Sequence, residues 1–419
     1  MNHLDTLNQL KTDTGFSPLG DATGNLTIGR GRLNEVEVHI AVVENKIASG
    51  SLGVKECDKL TSLFRIVATQ KTPLLLYLDS AGARVSEGLP ALGAFRHMVR
   101  AALEMTASGA PIVCLLGANC YGGASMLAAL ATMRVFSDNT QLAMSGPTIL
   151  AQSAGASAID DVFRAIAQAA IGADARLKLS VTHVKNWHGE VPEMGADAEL
   201  TWHQWHLELG ERWKQQNRPQ TGFPLGEPQI QEELKALYPK GYETEEEQGV
   251  LFGRSKSDDA KIRLLGIVDR QPLTAQRAWM LTDRVWALCH SGKPLPGSRL
   301  NIVVDCEAHS TALDDEKIML SQYLVSLAMA LMLLGRRGVY IETTVLGKLG
   351  GGVYVALAAA SVKLNLLHGA EIQLLPGRAI ASILGNDAMT HSEVKAAAED
   401  YLAARVIDQE LKVGFIRSK

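Results

Sequence analysis

The chain has 419 residues, of which 47% are hydrophobic and 21% charged, and it carries a formal net charge of −4 at neutral pH. This composition is typical of a globular protein, and the weakly acidic balance favours neither nucleic acid nor an anionic membrane as a partner. The length exceeds that of one ordinary hydrophobic core and predicts two domains with a connection. Five widely spaced cysteines without a Cys-x-x-Cys pair indicate reduced core thiols rather than a zinc ribbon.

Apolar stretches and the first residues bear on where the protein resides. The longest apolar run, at about residues 324–334, suits a buried helix and is too short to span a membrane. Residues 1–5 lack the basic-then-apolar order of a secretory signal. We therefore expect a cytoplasmic protein with no membrane or nucleic-acid partner.

The first half of the sequence alternates strand patterns with helical ones. Residues 26–43 read as strands around a glycine turn, and residues 74–78 form an apolar run typical of a strand buried on both faces. A loop of small residues follows at 79–84, then a helical pattern at about 92–107 and a second buried strand at 111–116. This order is an α/β crossover pattern.

Gly122 and Gly123 lie between that second strand and a small, apolar run at residues 124–131, which predicts a buried helix. The first amides of a helix lack intrahelical partners, and the helix dipole adds positive potential there. Without side chains, the two glycines let a ligand oxygen approach these amides closely. Such donors suit an oxyanion that forms only during a reaction, such as a thioester enolate. Close packing of the helix on its strand is the alternative interpretation.

The same order of elements returns in the second half. A predicted strand at residues 300–304 ends in Asp305, and a long helix and another strand then lead to a glycine-rich loop. Asp305 lies 226 residues after Asp79, and Gly351 lies 229 residues after Gly122. The nearly constant offset predicts an internal duplication of a whole α/β domain, with two coincidentally similar units as the alternative.

The composition changes between the halves. Four of the six tryptophans lie within residues 187–213, and a Pro/Gly/Gln-rich stretch follows. We therefore predict a first domain at residues 1–215, a connector at 216–262 and a second domain at 263–419. His203 and His206 have the i,i+3 spacing of helical metal ligands, but no third ligand is evident, and we predict no metal site.

Four motifs of this sequence resemble carboxyltransferases of the crotonase superfamily. Within that group the sequence is similar to the decarboxylase component of biotin-independent malonate decarboxylase, with its β and γ subunits fused into one chain. The resemblance covers about residues 25–180 and 265–400. The motifs are residues 79–88, Tyr121-Gly122-Gly123-Ala124, Met144-Ser145-Gly146-Pro147 and residues 347–354.

The resemblance implies an α/β fold of two tandem crotonase-like domains of the ClpP/crotonase superfamily, each a β-β-α superhelix. It also implies an active site in a cleft between an N-type and a C-type domain, usually from different subunits of a dimer. Gly122 and Gly123 would hold the thioester oxygen of a malonyl group, and Gly352 and Val353 would form a second hole. Residues implied to bind the substrate around these holes are Ser80, Ala81, Gly82, Tyr121, Ser145, Gly146 and Gly351.

The substrate and partners also follow from the resemblance alone. No tightly bound cofactor is implied, and the acyl group would be a thioester of CoA or of a phosphopantetheine-type prosthetic group on a carrier protein. An acyl carrier protein, a CoA/ACP-transferase subunit and a homodimer or larger homo-oligomer are the implied partners. Arg30, Arg32 and Arg84 are candidates for the phosphates of that arm, with solvated surface charge as the plainer interpretation.

The residues suit the chemistry that the resemblance implies. Loss of carbon dioxide from a malonyl thioester develops an enolate on the thioester oxygen, which amide donors stabilise. The carbanion then needs a proton, and the sequence offers four candidate donors without deciding among them. These are Tyr121, Tyr354, His309 and Ser80.

A biotin-dependent acyl-CoA carboxyltransferase subunit is the nearest alternative function. The sequence has no Ala-Met-Lys-Met biotinylation segment and no phosphate-binding loop for ATP, but partner proteins would supply both. A non-catalytic scaffold subunit is another alternative, against which the presence of both glycine junctions argues.

Two related chemistries suit the sequence less well. Ser125 occupies the position of the nucleophile in Clp-type serine peptidases, yet no histidine base lies between His97 and His183. Enoyl hydration needs carboxylates near the glycine junction, and residues 124–126 offer none.

Overall fold

The computed structural model describes residues 2–156, 159–192, 197–216, 231–256, 262–292, 297–375 and 396–412. The chain divides into two compact units. The first unit comprises Met1–Trp205 and Thr311–Val325, and the second comprises His206–Ser310 and Ser326–Lys419. A short segment of the second half of the sequence therefore belongs to the first unit.

The first unit is built on an eight-stranded sheet with the order β1-β2-β3-β4-β5-β6-β8, in which β7 pairs with the end of β5. The pairs β1–β2 and β2–β3 are antiparallel, and the other pairs are parallel. The strands are β1 (Ser17–Pro18), β2 (Leu26–Leu33), β3 (Val36–Val43), β4 (Leu74–Ser80), β5 (Ile112–Tyr121), β6 (Met133–Val135), β7 (Gln141–Ala143) and β8 (His183–Val184).

Helices cover this sheet because its central strands are apolar on both faces, as the burial of every residue of β4 shows. Leu7 and Leu10 of the first helix pack with Trp187 in a core that includes residues of β2 to β5. The helices are α1 (His3–Thr14), α2 (Val54–Gln70), α3 (Gly88–Ala107), α4 (Gly123–Ala129), α5 (Pro147–Ser153), α6 (Asp161–Ile171), α7 (Ala173–Leu177) and α8 (Ala198–Lys214).

The second unit has its own eight-stranded sheet with the order β16-β14-β13-β12-β11-β10-β9, in which β15 pairs with the end of β13. The pairs β9–β10 and β10–β11 are antiparallel, and the others are parallel. The strands are β9 (Tyr242–Glu247), β10 (Val250–Ser255), β11 (Ile262–Arg270), β12 (Arg299–Cys306), β13 (Tyr340–Gly350), β14 (Lys363–Leu367), β15 (Glu371–Gln373) and β16 (Gln409–Leu411).

The remaining helices follow the pattern of the first half. Helix α11 belongs to the first unit, and α12 begins in the first unit and ends in the second. The helices are α9 (Gln231–Leu237), α10 (Ala275–His290), α11 (Leu313–Lys317), α12 (Leu320–Arg336), α13 (Gly351–Ala360) and α14 (Ala398–Ala403).

The two sheets repeat one topology. In each sheet three antiparallel strands, β1 to β3 or β9 to β11, lead into parallel strands. A short strand then pairs with the carboxyl end of the strand that precedes a glycine turn: β7 with β5, and β15 with β13. This repetition confirms the predicted α/β fold class with two repeated α/β halves.

Several boundaries differ from the predictions. Strand β5 continues to Tyr121 because its end pairs with β7, a partner that the local apolar run does not reveal. The long helix predicted after Asp305 is two helices, separated where Met319 adopts a φ of +66°. The predicted connector contributes β9 and β10 to the second sheet; β9 was missed because its side chains are mostly exposed and acidic. Residues 217–230 and 257–261 of that connector lie outside the described residues.

Two further features concern the chain as a whole. All five cysteines are buried and unpaired, as predicted for core thiols. Within the described residues, the helices are too short or too polar for any of them to cross a membrane.

Candidate functional site

The first glycine turn connects β5 to α4. Gly122 has a φ of +56°, which favours glycine, and its amide donates to the carbonyl of Met144 at 3.1 Å. Gly123 is the first residue of α4 and is partly exposed, and its amide has no acceptor among the residues that the structure describes. Of the two glycines predicted to hold an oxyanion, Gly123 thus offers an open amide and Gly122 does not. The Gly122 amide is paired with Met144 because β7 extends the sheet along the end of β5 to this point.

The loop after β4 lies against this turn. Gly82 has a φ of +89°, and a Cβ placed on it would lie 2.8 Å from the amide nitrogen of Gly123. The Oγ of Ser80 accepts from the amide of Gly82 at 3.1 Å, and the amide of Ala81 donates to the carbonyl of Ser49 at 2.9 Å. The loop is therefore fixed by its own hydrogen bonds, with its glycine beside the open amide.

Tyr121, Ser145 and Gly146 complete the surroundings of the first turn. The hydroxyl of Tyr121 donates to Gln141 at 2.5 Å, and a Cβ on Gly146 would lie 3.4 Å from the Tyr121 ring. The Oγ of Ser145 is buried, with no partner in the part of the chain that the structure describes. The structure thus brings all the predicted residues of the first half together around one turn.

Arg84 is not a solvated charge. Its guanidinium pairs with Glu56 and, at 2.7 Å, with Glu87, and it donates to the carbonyl of Ser51 at 2.7 Å. Glu87 also accepts from the amide of Val54, the first residue of α2. Arg84 therefore ties the loop after β4 to the start of α2, and neither predicted interpretation of this residue, phosphate binding or free surface charge, describes its contacts.

Arg30 and Arg32 do match the interpretation as surface charge. Arg30 lies 3.4 Å from Glu37, Arg32 lies 3.3 Å from Glu35, and all four side chains are about half exposed or more. Exposed pairs of this kind contribute little to stability.

An aspartate at the end of each central strand shapes the turns, and the sequence analysis had used these residues only as markers of the repeat. Asp79 accepts from the amides of Ala118 at 3.2 Å and Asn119 at 3.1 Å, and Asp305 accepts from the amide of Lys348 at 2.8 Å. A glycine one residue before these amides, at 117 and 347, leaves room for the carboxylate. The signal available in the sequence was an aspartate at the end of a buried strand and a later glycine, both repeated in the second half about 226–230 residues further on.

The second glycine turn has a similar φ at its first positive-φ glycine but a different neighbour. Gly351 has a φ of +55°, close to that of Gly122. The amide of Gly352 donates to Nδ1 of His309 at 3.1 Å, and a Cβ on Gly351 would lie 2.5 Å from the same nitrogen. The Gly352 amide, predicted to hold an oxyanion, is therefore already paired. Val353 follows it inside α13 with its side chain buried.

The electrostatic state of His309 follows from its position. Burial lowers its pKa to about 4, so the imidazole is neutral near pH 7. Because Nδ1 accepts from Gly352, the proton of this neutral ring resides on Nε2. A neutral ring with a defined tautomer caps the second turn.

Glu316 was missed by the sequence analysis. It lies on α11, is fully buried in the first unit, and accepts from the amides of Met144 at 3.1 Å and Ser145 at 2.7 Å. Burial raises its pKa to about 7. No local pattern signals this carboxylate, because its partners are more than 170 residues away.

Metal ligands are not gathered in the described residues, which hold no group of three or more histidine, cysteine, aspartate or glutamate side chains suited to an ion. His206 instead stacks on Trp279 and lies 3.5 Å from Asp283.

Comparison with known proteins identifies the first half more clearly than the second. Residues 7–164 match a family described as the carboxyl transferase domain. The chain is 28% identical over 152 residues to the acetyl-coenzyme A carboxylase carboxyl transferase subunits beta/alpha of Parafrankia sp. (strain EAN1pec), covering 36% of this chain and 24% of that one. It is 27% identical over 127 residues to the methylmalonyl-CoA carboxyltransferase 12S subunit of Propionibacterium freudenreichii subsp. shermanii, covering 30% and 24%. The chain thus matches about a quarter of the length of these relatives.

Solved structures are similar at low identity. A transcarboxylase 12S hexamer with hydrolysed methylmalonyl-coenzyme A is 17% identical, with a TM-score of 0.36 and coverage of 97% of this chain and 86% of that one. A Pseudomonas malonate decarboxylase hetero-tetramer with malonate is 18% identical, with a TM-score of 0.42 and coverage of 51% and 91%. The sequence match is the stronger result, and it contains the first glycine turn but not the second.

Proposed function

We propose that this protein decarboxylates a malonyl or related β-carboxyacyl thioester to the acetyl-type thioester and carbon dioxide. The thioester is carried by CoA or by the phosphopantetheine-type arm of an acyl carrier protein. The observation that carries the proposal is the unpaired, partly exposed amide of Gly123 at the start of α4, inside the region similar to carboxyl transferase domains.

The Gly123 amide acts where negative charge appears. When the bond between the α-carbon and the carboxylate breaks, its electron pair passes into an enolate, and the thioester oxygen becomes an oxyanion. A backbone donor that is already in place costs no reorganisation at that moment, and removal of one such donor typically costs about 3–4 kcal/mol of transition-state stabilisation. The positive end of the helix dipole adds to this effect.

The loop after β4 supports the same chemistry. The Gly82 amide donates to Oγ of Ser80, and the Ala81 amide donates to the carbonyl of Ser49. These bonds keep a glycine beside the Gly123 amide, where a larger residue would crowd the oxyanion. The carboxylate leaves as carbon dioxide without a base, so the site needs no further acid or base until the carbanion is protonated.

The four candidate proton donors differ in their contacts. The hydroxyl of Tyr354 donates to the carbonyl of Val406 at 2.9 Å, and Ser80 is fully buried with its Oγ beside the Gly82 amide. Tyr121 lies in the first turn, and His309 carries a proton on Nε2 in the second unit. All four residues remain candidates, to be distinguished by the rate of deuterium incorporation in Tyr121→Phe, Tyr354→Phe, Ser80→Ala and His309→Asn.

The alternative is a biotin-dependent carboxyl transfer, and the curated relatives are named as carboxyl transferases. Both reactions pass through the same enolate, so the first turn serves either one.

The test is incubation of the full chain with malonyl-, methylmalonyl- and glutaconyl-thioesters of CoA and of acyl carrier protein, with and without biotin, while carbon dioxide is measured. Release without biotin supports decarboxylation. Consumption of the thioester only with biotin, with formation of carboxybiotin, supports the alternative. No consumption of any thioester in either condition contradicts both.

A further inference from the structure

Glu316 is a carboxylate in an unusual position. It follows β12 in sequence, yet the segment Thr311–Val325 that carries it belongs to the first unit. Its side chain is fully buried and accepts from two consecutive backbone amides, those of Met144 and Ser145. Burying an ionisable group is costly unless it is hydrogen-bonded or paired, and the two amides supply hydrogen bonds here.

Arg176 is the second buried charge of this cluster and is also fully buried. Its Nε donates to the carbonyl of Leu142 in β7 at 2.9 Å, and its Nη1 donates to the backbone carbonyl of Glu316 at 2.6 Å. Its Nη2 lies 3.9 Å from the Glu316 carboxylate. The Arg176 guanidinium therefore bonds both to β7 and to the backbone of Glu316, whose side chain binds the amides of Met144 and Ser145.

One peptide unit connects Glu316 to the first glycine turn. The amide of Ser145 donates to Glu316, and the carbonyl of Met144 in the same planar peptide accepts from the amide of Gly122. Hydrogen bonds in such a chain polarise one another, so the anchor at one end strengthens the bond at the other. The orientation of the Gly122 peptide thus depends on a carboxylate that is not its neighbour.

We propose that Glu316 is a positioning residue that fixes the backbone at Gly122 through the Met144–Ser145 peptide and thereby aims the Gly123 amide. Its effect on catalysis rests on the function proposed above. Its effect on the backbone does not.

The substitution Glu316→Gln tests the first link. A glutamine has a single acceptor oxygen, and its amide group faces one of the two backbone N–H groups, so at least one hydrogen bond is lost. We expect amide hydrogen exchange in a peptide spanning residues 118–146 to become about 10-fold faster at the affected positions. Glu316→Asp keeps both acceptor oxygens and should recover part of the protection.

The matched control is Asp269→Asn. Asp269 is a buried carboxylate of the second unit that pairs with Arg277 at 2.7 Å and accepts from the amide of Gln271 at 3.1 Å. Its substitution also removes a buried charge, but it makes no bond to the first turn within the described ranges. Exchange in residues 118–146 should be unchanged in this variant.

The second link is tested by kinetics with the thioester that the wild-type chain consumes. Glu316→Gln should lower kcat about 10-fold with little change in KM, because an interaction used in the transition state is weakened. Asp269→Asn should leave kcat unchanged.

The outcomes separate the two proposals. Unchanged exchange in Glu316→Gln, or equal exchange in the control, overturns the positioning role whatever the function is. Faster exchange with an unchanged kcat overturns the link to catalysis. Faster exchange in a protein whose wild type consumes no thioester supports the backbone role and refutes the proposed function.

Discussion

The two glycine turns share a positive φ at one glycine but have different neighbours. Gly122 and Gly351 share a φ near +55°, and an aspartate at the end of the adjacent strand accepts from a backbone amide in each half. In the first turn a glycine of the adjacent loop leaves the Gly123 amide open, whereas in the second the ring of His309 accepts from the Gly352 amide.

This difference shows that a strand–Gly–Gly–helix junction does not by itself make an oxyanion hole. The loop that follows the adjacent strand differs between the halves. In the first half Gly82 lies beside the Gly123 amide, whereas in the second half His309 accepts from the Gly352 amide. We therefore propose the oxyanion role for the first turn alone.

The largest expected effect comes from closing the open turn. In Gly82→Ala, a methyl group on the present backbone would lie 2.8 Å from the Gly123 amide nitrogen, so the loop or the turn must shift, which should disturb the oxyanion site and lower kcat about 100-fold or more. Steady-state kinetics with the consumed thioester measures this.

The matched control for that variant is Gly109→Ala. Gly109 has a φ of +84°, close to that of Gly82, but a Cβ there meets no atom within 4 Å. It carries the same backbone strain, about 1–2 kcal/mol, without the steric block. Equal losses of kcat in the two variants would show that strain, and not the blocked amide, explains the effect.

The capped turn should make stability depend on pH in a defined direction. Because His309 has a folded pKa of about 4, below its ordinary value of about 6.5, the unfolded chain binds more protons between these values. The free energy of unfolding should therefore fall as the pH is lowered from 6.5 to 4, by up to about 3 kcal/mol. Urea unfolding of the wild type and His309→Asn across this range measures it; parallel curves would contradict the prediction.

The first unit should show the opposite dependence. Burial raises the folded pKa of Glu316 to about 7, above the ordinary value of about 4.5, with Arg176 opposing this shift and Asp315 adding to it. The folded state then binds more protons, so stability should fall as the pH rises from 4.5 to 7. The same unfolding series in Glu316→Gln should lack this component. A difference between wild type and variant that is constant with pH would show that Glu316 does not titrate in this range.

A smaller effect is expected when the second turn is uncapped. His309→Ala leaves the buried Gly352 amide without its acceptor and should cost about 2 kcal/mol at pH 7. An asparagine at this position has an oxygen near the place of Nδ1, so His309→Asn should recover part of the loss in urea unfolding. An alanine variant as stable as wild type would show that the cap is dispensable.

The sequence predicted the parts of the fold that depend on local apolar patterns and on the internal repeat. Apolar runs indicated the central strands, and the offset between Asp79 and Asp305 indicated the repeat that the two sheets show. The strand β9 was missed because an exposed acidic edge strand has no apolar face to reveal it.

The site was predictable in place but not in detail. Residues 80–82, 121–123 and 145–146 lie together as expected. Which amide is open was not predictable, because the Gly122 amide is taken by Met144 and the Gly352 amide by His309, 43 residues away. The contacts of Arg84 and Glu316 were not predictable for the same reason, because their partners are distant in the sequence and come close only in the folded chain.

The membership of Thr311–Val325 in the first unit has a consequence for biosynthesis. Met144 and Ser145 leave the ribosome 171 or more residues before Glu316, which they bind. At a synthesis rate of about 5–20 residues per second, Glu316 is synthesised roughly 10–30 s after Ser145, so the first unit is incomplete during that time. If the gene were split between residues 205 and 311, the amino-terminal product would lack Thr311–Val325 and with it the Glu316 carboxylate that binds Met144 and Ser145. A stable amino-terminal product would then need its own copy of that segment or a substitute for it.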